Sequence, residues 1–286
     1  MNNTPTSNWN TPLSCPSRYE GRVGIVTGGA SGIGKATVIQ MIREGGTVIV
    51  GDLNMVTGNF LMEEAKQNGY ADRCRFFSCN VIQENDIVQL TKYAEKEFGR
   101  LDVMVNCASA GGAIGKFIDT STENWDATFQ LVLNSVFWGT KAAAKTMIRL
   151  HAVGAIINIS SIAALVGGGA GSAYSAAKAA IISMTQNAAI NLAPHGIRCN
   201  TVCPGSIITP LLQRGGDSGL LERATVNTQP WSDAGRPKHV AAAILYLGSD
   251  QAKSVTGSAL IVDGAVFAAG SVLFEWEPYE KIVNPD

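Results

Sequence analysis

Residues 21–34 read GRVGIVTGGASGIG, and they set the architecture of the chain. An apolar run of strand length passes through a glycine-rich turn into an amphipathic stretch. Such a turn lets the backbone approach a pyrophosphate closely, and the amides of the following helix N-terminus then face the phosphates. We therefore predict a strand at 21–27, a helix at Gly32–Glu44 and a dinucleotide site between them.

The alternation of apolar runs and helical patterns continues to about residue 264. The further predicted strands lie at 47–52, 73–81, 101–108, 154–161, 196–205 and 258–264. The further predicted helices lie at 60–69, 85–99, 124–150, 172–192 and 237–247. Apolar strands that alternate with helices are typical of a parallel sheet covered on both faces. We predict a single α/β domain, a Rossmann-type doubly wound parallel sheet of about seven strands.

Three segments depart from this alternation. Residues 1–20 are polar and lack the apolar core of a signal peptide, so we expect a flexible arm before the domain at 21–265. Residues 206–236 form a connection long enough to act as a lid. Residues 266–286 form an aromatic tail that could pack on its own domain or on a partner subunit.

The bulk composition excludes several classes of partner. A formal net charge of -1 does not indicate a basic surface that would attract nucleic acid or an anionic membrane. No apolar stretch is long enough to span a bilayer. The 6 cysteines form no CxxC pair and the 3 histidines lie far apart, so the sequence indicates neither a metal site nor a disulfide framework. Reduced thiols in a cytoplasmic protein are the better interpretation.

An aspartate indicates which dinucleotide is bound. Asp52 ends the second predicted strand, 20 residues after Gly32. A carboxylate there accepts hydrogen bonds from the adenosine ribose hydroxyls and repels a 2′-phosphate. The neighbouring turn residues include no arginine or lysine that could bind such a phosphate. We predict NAD rather than NADP, with an ordinary strand-end aspartate as the alternative interpretation.

A second cluster lies in SSIAALVGGGAGSAYSAAK, residues 160–178. Tyr174 and Lys178 stand at i and i+4 of a predicted helix and share one face. The preceding strand delivers Ser160 and Ser161 to the same sheet edge as the glycine-rich turn. A phenol has an ordinary pKa of about 10, and a neighbouring ammonium favours its ionised form. Such a phenol can exchange a proton with an alcohol while a serine hydroxyl holds the substrate oxygen.

Taken together, these motifs resemble the short-chain dehydrogenase/reductase family. The resemblance runs from about residue 20 to 265 and rests on TGGASGIG, NCA at 106–108, LVLNSVF around Asn134, the serine-to-tyrosine spacing, YSAAK and PGSIIT at 204–209. It implies that Ser161, 13 residues before Tyr174, is the catalytic serine, with Ser160 as the alternative. Tyr174 would be the acid/base, Lys178 would lower its pKa, and Asn134 would hold a water linking Lys178 to solvent.

The resemblance also implies a set of cofactor contacts. They are Gly28, Ser31, Gly32, Ile33, Gly34, Asp52, Leu53, Asn80, Val81, Asn106, Ala108, Tyr174, Lys178, Pro204, Gly205, Ile207 and Thr209. The chain departs from the family pattern where it reads NCAS at 106–109 in place of the usual NNAG. Cys107 and Ser109 therefore alter the shape of the site.

We predict an NAD-dependent oxidoreductase that interconverts a secondary alcohol and a ketone on an apolar or cyclic small molecule. A 3-oxoacyl thioester reductase is one alternative, which Asp52 opposes, and a non-catalytic nucleotide-binding scaffold is another. The resemblance further implies a homotetramer, or a homodimer, built through the helices at 124–150 and 172–193. Several loop residues are candidates for an apolar substrate pocket, namely Ala110, Gly111, Gly112, Leu165, Val166, Ile208, Leu211, Leu212 and Trp231.

Overall fold

The computed structural model describes residues 17–210, 212 and 225–270. Most of the predicted arm, the middle of the predicted lid and tail residues 271–286 lie outside the described residues. The described strands are β1 (Val23–Thr27), β2 (Thr47–Asp52), β3 (Cys74–Ser78), β4 (Val103–Asn106), β5 (Gly154–Ile159), β6 (Ile197–Pro204) and β7 (Ala259–Val262). The described helices of eight residues or more are α1 (Gly32–Arg43), α2 (Met55–Gln67), α3 (Glu84–Phe98), α4 (Thr122–Phe129), α5 (Ser135–Arg149), α6 (Ser172–Leu192) and α7 (Pro237–Gly248), and a short α8 (Val266–Ala269) follows β7.

The strands form one 7-stranded sheet in the order β3-β2-β1-β4-β5-β6-β7. All neighbouring strands pair in parallel. The prediction of a single doubly wound domain is therefore confirmed. The chain winds outward from β1 in both directions, so a crevice opens where the loops after β1 and β4 diverge, which is the usual ligand site of such sheets.

Apolar side chains cover both faces of the sheet. Val26 and its neighbours pack under α1 and α7 in one buried cluster. Ile25, the residue before it on β1, points to the other face and packs under α3 and α5. Successive strand residues alternate between the faces, so a strand buried on both sides must be apolar throughout. This requirement explains why the strands could be recognised as continuous apolar runs.

The predicted helix at 124–150 is interrupted by a π-helical turn. The structure has α4 at Thr122–Phe129, a π turn at Gln130–Asn134 and then α5 at Ser135–Arg149. A π turn inserts an extra residue per turn, so side chains beyond it are rotated relative to a continuous α-helix. This rotation matters for Asn134, as described below.

The N-terminal boundary of the domain lies earlier than predicted, because residues 17–20 pack on the domain rather than belonging to an arm. Tyr19 is buried, and its hydroxyl donates a hydrogen bond to the Leu245 carbonyl oxygen at 2.6 Å. The Arg18 guanidinium forms an ion pair with the buried Glu44 carboxylate at 2.6 Å. The segment thereby fastens the ends of α1 and α7 at the amino edge of the sheet.

Among the helices of the described residues, none combines the length and apolarity needed to cross a membrane.

We expect Arg18→Met to lower the free energy of unfolding by about 3 kcal/mol, because it leaves the buried Glu44 carboxylate without its cation. Lys96→Met is the matched control, since the Lys96–Glu97 pair is exposed and such pairs contribute little. Thermal and urea denaturation at fixed protein concentration measure both variants. Equal losses in the two variants would contradict a structural role for the Arg18–Glu44 pair.

Candidate active site

The glycine-rich turn after β1 leaves the N-terminus of α1 open. A Cβ on Gly34 would collide with the carbonyl oxygen of Gly28, so the turn closes only because position 34 lacks a side chain. The Ser31 side chain makes no capping hydrogen bond, and the first turn of α1 has no acidic residue. The amides of this helix end are therefore free to bind an anionic group such as a pyrophosphate.

Three loops meet at this turn. A Cβ on Gly28 would lie 2.8 Å from the Cα of Ala108, in the loop after β4. A Cβ on Gly32 would lie 3.4 Å from Cγ2 of Thr209, in the loop after β6. The loops after β1, β4 and β6 thus form the walls of one crevice at the carboxyl edge of the sheet.

Asp52 lies at the rim of the crevice. Its Oδ2 accepts a hydrogen bond from the Ala30 amide at 3.0 Å, and its Oδ1 accepts one from the Asn54 amide at 2.9 Å. Leu53 beside it is 65% exposed. The carboxylate is therefore fixed against the glycine-rich turn, and it has lone pairs to spare for ribose hydroxyls.

These observations show that the residues present fit a nicotinamide dinucleotide. The uncapped helix end would bind the pyrophosphate and Asp52 would bind the adenosine ribose. The segment 204–209, which reaches Gly32 through Thr209, would line the other half of the crevice.

Two of the predicted cofactor contacts have structural roles for their side chains. The Asn106 side chain is buried and donates hydrogen bonds to Asn158 Oδ1 on β5 at 2.8 Å and to Thr140 Oγ1 on α5 at 3.3 Å. The Val81 side chain is buried in the cluster under α3 and α5. The sequence alone could not distinguish a strand-end residue whose side chain packs in the core from one whose side chain faces a ligand.

Tyr174, Lys178 and Ser161 come together as the spacing predicts. The Lys178 Nζ lies 5.4 Å from the centroid of the Tyr174 ring and donates a hydrogen bond to the Ile159 carbonyl oxygen at 2.8 Å. The Ser161 side chain is the hydroxyl at the end of β5 that lowers the pKa of the Tyr174 phenol. Ser161 Oγ also accepts the Ala163 amide hydrogen at 3.2 Å, which directs its own hydrogen elsewhere.

Burial governs the acidity of this cluster. Burial raises the pKa of the Tyr174 phenol above its ordinary value, and hydrogen bonds from Ser161 and Ser109 lower it in part. Burial also lowers the pKa of Lys178 to about 8. Each of these groups is therefore less charged than it would be in water, and any cation added to the crevice would favour the phenolate.

Ser160 has a structural role. It is buried, and its hydroxyl donates to the Lys178 carbonyl oxygen at 2.7 Å. Ser161 therefore remains the serine whose side chain faces Tyr174.

Asn134 is the last residue of the π turn, and its side chain is exposed. The role that the resemblance implies for Asn134, holding a water that links Lys178 to solvent, stays a prediction. The buried residue of the π turn is Val132, which packs with Val136 in the apolar cluster that Tyr174 joins. The sequence analysis treated this stretch as a regular helix, and the π turn changes which side chains face α6.

Sequence reasoning missed two features of the site. Ser109 was noted only as a departure from the family pattern, yet its side chain is one of the groups that lower the pKa of the Tyr174 phenol. A cavity of about 250 Å³ adjoins the start of α6, lined by Phe117, Thr120, Ser121, Thr122, Trp125 and Ser172. In the sequence, Phe117 and Trp125 on either side of the start of α4 could have indicated this cavity.

Comparisons with known proteins agree with this geometry. A family model described as enoyl-(acyl carrier protein) reductase matches residues 28–266. The chain is 38% identical over 252 residues to a cyclopentanol dehydrogenase from Comamonas sp., covering 88% of this chain and 99% of that protein. It is 35% identical to a 3-oxoacyl-[acyl-carrier-protein] reductase from Thermotoga maritima, covering 87% of this chain and 99% of that protein.

A solved structure assigned to the short-chain dehydrogenases/reductases, from Burkholderia xenovorans, is also similar. It superposes with a TM-score of 0.81 at 30% identity, covering 88% of this chain and 98% of that one. Together with the glycine-rich turn and the Ser161–Tyr174–Lys178 cluster, these matches confirm the resemblance stated from the motifs. The chain is an oxidoreductase that belongs to the short-chain dehydrogenase/reductase family.

Proposed function

We propose that the protein is an NAD-dependent dehydrogenase that interconverts a secondary alcohol and a ketone on an apolar, cyclic small molecule. The observation that carries this proposal is the convergence of Tyr174, Lys178 and Ser161 beside the open end of α1. The similarity to a cyclopentanol dehydrogenase supports the choice of an alcohol and a ring.

In this mechanism the proton is handled by side chains of the chain itself. When bound, a nicotinamide supplies hydride transfer to or from the carbon that carries the substrate oxygen. Ser161 holds that oxygen, and Tyr174 takes the hydroxyl proton during oxidation or returns it during reduction. Lys178, held by the Ile159 carbonyl oxygen, favours the ionised phenol as long as its amine is protonated.

The cavity beside α6 supports an apolar substrate. It begins at Ser172, two residues before Tyr174, and Phe117 and Trp125 contribute aromatic walls. Small-molecule sites usually combine such apolar walls with a few polar groups that orient the ligand. A cyclic ketone or alcohol would place its single oxygen at the serine and tyrosine hydroxyls.

A 3-oxoacyl thioester reductase is the second candidate, because of the similarity to such an enzyme from Thermotoga maritima. The fixed carboxylate of Asp52 favours NAD over NADP, which argues for the first candidate.

We also propose that the chain assembles into a homotetramer or homodimer. Apolar side chains of α5 and α6 are exposed on the single chain, among them Phe137 at 46% and Ile190 at 74%. Burying such side chains against a second copy would be favourable. Analytical ultracentrifugation tests the assembly.

The activity is tested by following nicotinamide absorbance with purified protein and a panel of aliphatic, monocyclic, bicyclic and steroid secondary alcohols. The corresponding ketones and a 3-oxoacyl thioester are offered in parallel with NADH and NADPH. We expect turnover with NAD on the cyclic alcohols. Preferential reduction of the thioester with NADPH would support the second candidate, and NAD binding without any turnover would support a scaffold.

Tyr174→Phe should lower kcat by about a thousandfold, because it removes the proton carrier. We expect calorimetry to show NAD affinity within about threefold of wild type. Tyr246→Phe is the matched control and should stay within about twofold in kcat, since this tyrosine is 38% exposed on α7, away from the crevice. A comparable loss in both variants would contradict a specific role of Tyr174 as the proton carrier.

Asp52→Asn should raise kcat/KM for NADP relative to NAD by about tenfold, a change of about 1.4 kcal/mol in relative preference. The asparagine oxygen can still accept the Ala30 amide hydrogen, while the charge that repels a 2′-phosphate is gone. Both coenzymes are compared on one alcohol. An unchanged ratio would place coenzyme selectivity elsewhere in the crevice.

A further inference from the structure

A row of polar side chains crosses four adjacent strands of the sheet. Its members are Thr27 on β1, Asn106 on β4, Asn158 on β5 and Thr201 on β6, and neighbouring members pair in register. Residues paired in register point to the same face of a sheet. All four side chains are buried, with no more than 3% of any residue exposed. Buried amides need hydrogen-bond partners, so the partners of this row show which elements it holds together.

The Asn158 amide is the centre of this row. Its Oδ1 accepts hydrogen bonds from Asn106 Nδ2 at 2.8 Å and from Thr140 Oγ1, on α5, at 3.2 Å. Its Nδ2 donates to Thr185 Oγ1, on α6, at 3.0 Å and lies 3.7 Å from Cys199 Sγ, on β6. All the hydrogen-bonding positions of one amide are therefore used to join α5 and α6 to the three central strands.

The sheet-facing side of α6 has few large side chains that could fix its position. Its buried residues are Ala173, Ala177, Lys178, Ile181, Thr185 and Ala189. Helices are usually positioned by side-chain ridges that fit into the grooves of their neighbours, and alanine forms only a shallow ridge. Apolar packing alone therefore leaves the depth and rotation of α6 loosely defined, and its polar contacts define them.

Three polar contacts join α6 to consecutive residues of the β5 end. Asn158 bonds to Thr185, the Ile159 carbonyl oxygen accepts from Lys178 Nζ at 2.8 Å, and the Ser160 hydroxyl donates to the Lys178 carbonyl oxygen at 2.7 Å. Thr185 follows Lys178 by seven residues, which is about two turns along the same face. Without the contact at Thr185, the helix is held at Lys178 alone and can pivot about it.

We propose that Asn158 and Thr185 are positioning residues of the proton-transfer site, whose hydrogen bond holds α6 at the depth and rotation that place its tyrosine and lysine at the crevice. The proposal rests on the proposed function, in which Tyr174 carries the proton. Both residues are buried beneath α6 and act through that helix. Because Asn158 also bonds to Asn106 at the end of β4, α6 and the loop that forms a wall of the crevice are held by one set of bonds.

The kinetic test compares two substitutions of Thr185. Thr185→Val keeps the size and branching of threonine and removes the hydroxyl, whereas Thr185→Ser keeps the hydroxyl and removes a methyl group. A displacement of about 1 Å in a catalytic group can cost about a hundredfold in rate, and a pivot limited by the remaining contacts costs less. We expect kcat for alcohol oxidation to fall about tenfold in Thr185→Val and to stay within about twofold in Thr185→Ser.

Cofactor affinity should separate from kcat. The glycine-rich turn after β1 and Asp52 at the end of β2 are not bonded to α6 through Thr185. We therefore expect calorimetry to give an NAD dissociation constant within about twofold of wild type in both variants. A loss of kcat with unchanged cofactor affinity is the expected signature of a misplaced proton carrier.

Thermal stability distinguishes positioning from general weakening. Thr185→Val loses a buried hydrogen bond and Thr185→Ser leaves a void, so each should lower Tm by about 3 °C. Thr91→Val on α3 is the matched control, because Thr91 is 2% exposed and its hydroxyl donates only to the Val88 carbonyl oxygen of its own helix at 3.0 Å. We expect a similar loss of Tm in Thr91→Val with kcat within about twofold of wild type.

A second measurement does not depend on turnover. Amide hydrogen exchange is followed by mass spectrometry over residues 172–185 of α6. Loss of one buried hydrogen bond that holds the helix should make exchange there about tenfold faster in Thr185→Val. We expect exchange in this segment to stay within about twofold of wild type in Thr185→Ser and Thr91→Val.

The outcomes separate the two proposals. A wild-type kcat in Thr185→Val would overturn the positioning role, whatever the exchange rate. Equal losses of kcat in Thr185→Val and in Thr185→Ser or Thr91→Val would also overturn it, because activity would then follow stability and not the hydroxyl. If wild type turns over no alcohol, faster exchange in Thr185→Val alone would support the attachment of α6 and overturn the proposed function, and unchanged exchange would overturn both.

Discussion

The side-chain oxygen of Thr27 joins the two loops that enclose the site. β1 ends at Thr27, and its hydroxyl oxygen accepts the amide hydrogens of the first two residues after β4. Backbone amides beyond a strand end lose their ladder partners and must find others when they are half-buried. Because one oxygen serves both amides, the loop after β4 stays against the glycine-rich turn. The contact between Gly28 and Ala108 follows from this bond.

A comparable connection orients α6, the helix that carries Tyr174 and Lys178. Lys178 is bound to the end of β5 twice, through its Nζ to the Ile159 carbonyl oxygen and through its own carbonyl oxygen to the Ser160 hydroxyl. Burying a lysine is costly unless its ammonium is paired with acceptors, and here the cost lowers its pKa to about 8. The same two bonds fix the rotation of α6. Tyr174, one turn earlier, is consequently held over the crevice with Ser161 beside it.

Most of the fold and part of the site could be predicted from the sequence, for identifiable reasons. Strands buried on both faces must be apolar, and the glycine-rich turn and the Tyr174–Lys178 spacing are local patterns. The π turn that ends at Asn134 was missed because it has no clear signal in the residue types, yet it changes the side chains that face α6. The side-chain directions of Asn106 and Val81 depend on contacts with distant elements. Tyr19 was missed because a polar, proline-containing segment gives no indication that its last residues are buried.

The anchoring of residues 17–20 also determines where the chain enters the domain. Tyr19 and Arg18 fasten the chain at the amino edge of the sheet, while the crevice opens at the carboxyl edge. The length of β1 separates the two edges by about 17 Å. A fusion partner, affinity tag or surface linker attached ahead of Ser17 would therefore start on the far side of the molecule from the substrate entrance. Immobilising the enzyme through an attachment ahead of Ser17 would therefore leave the crevice accessible.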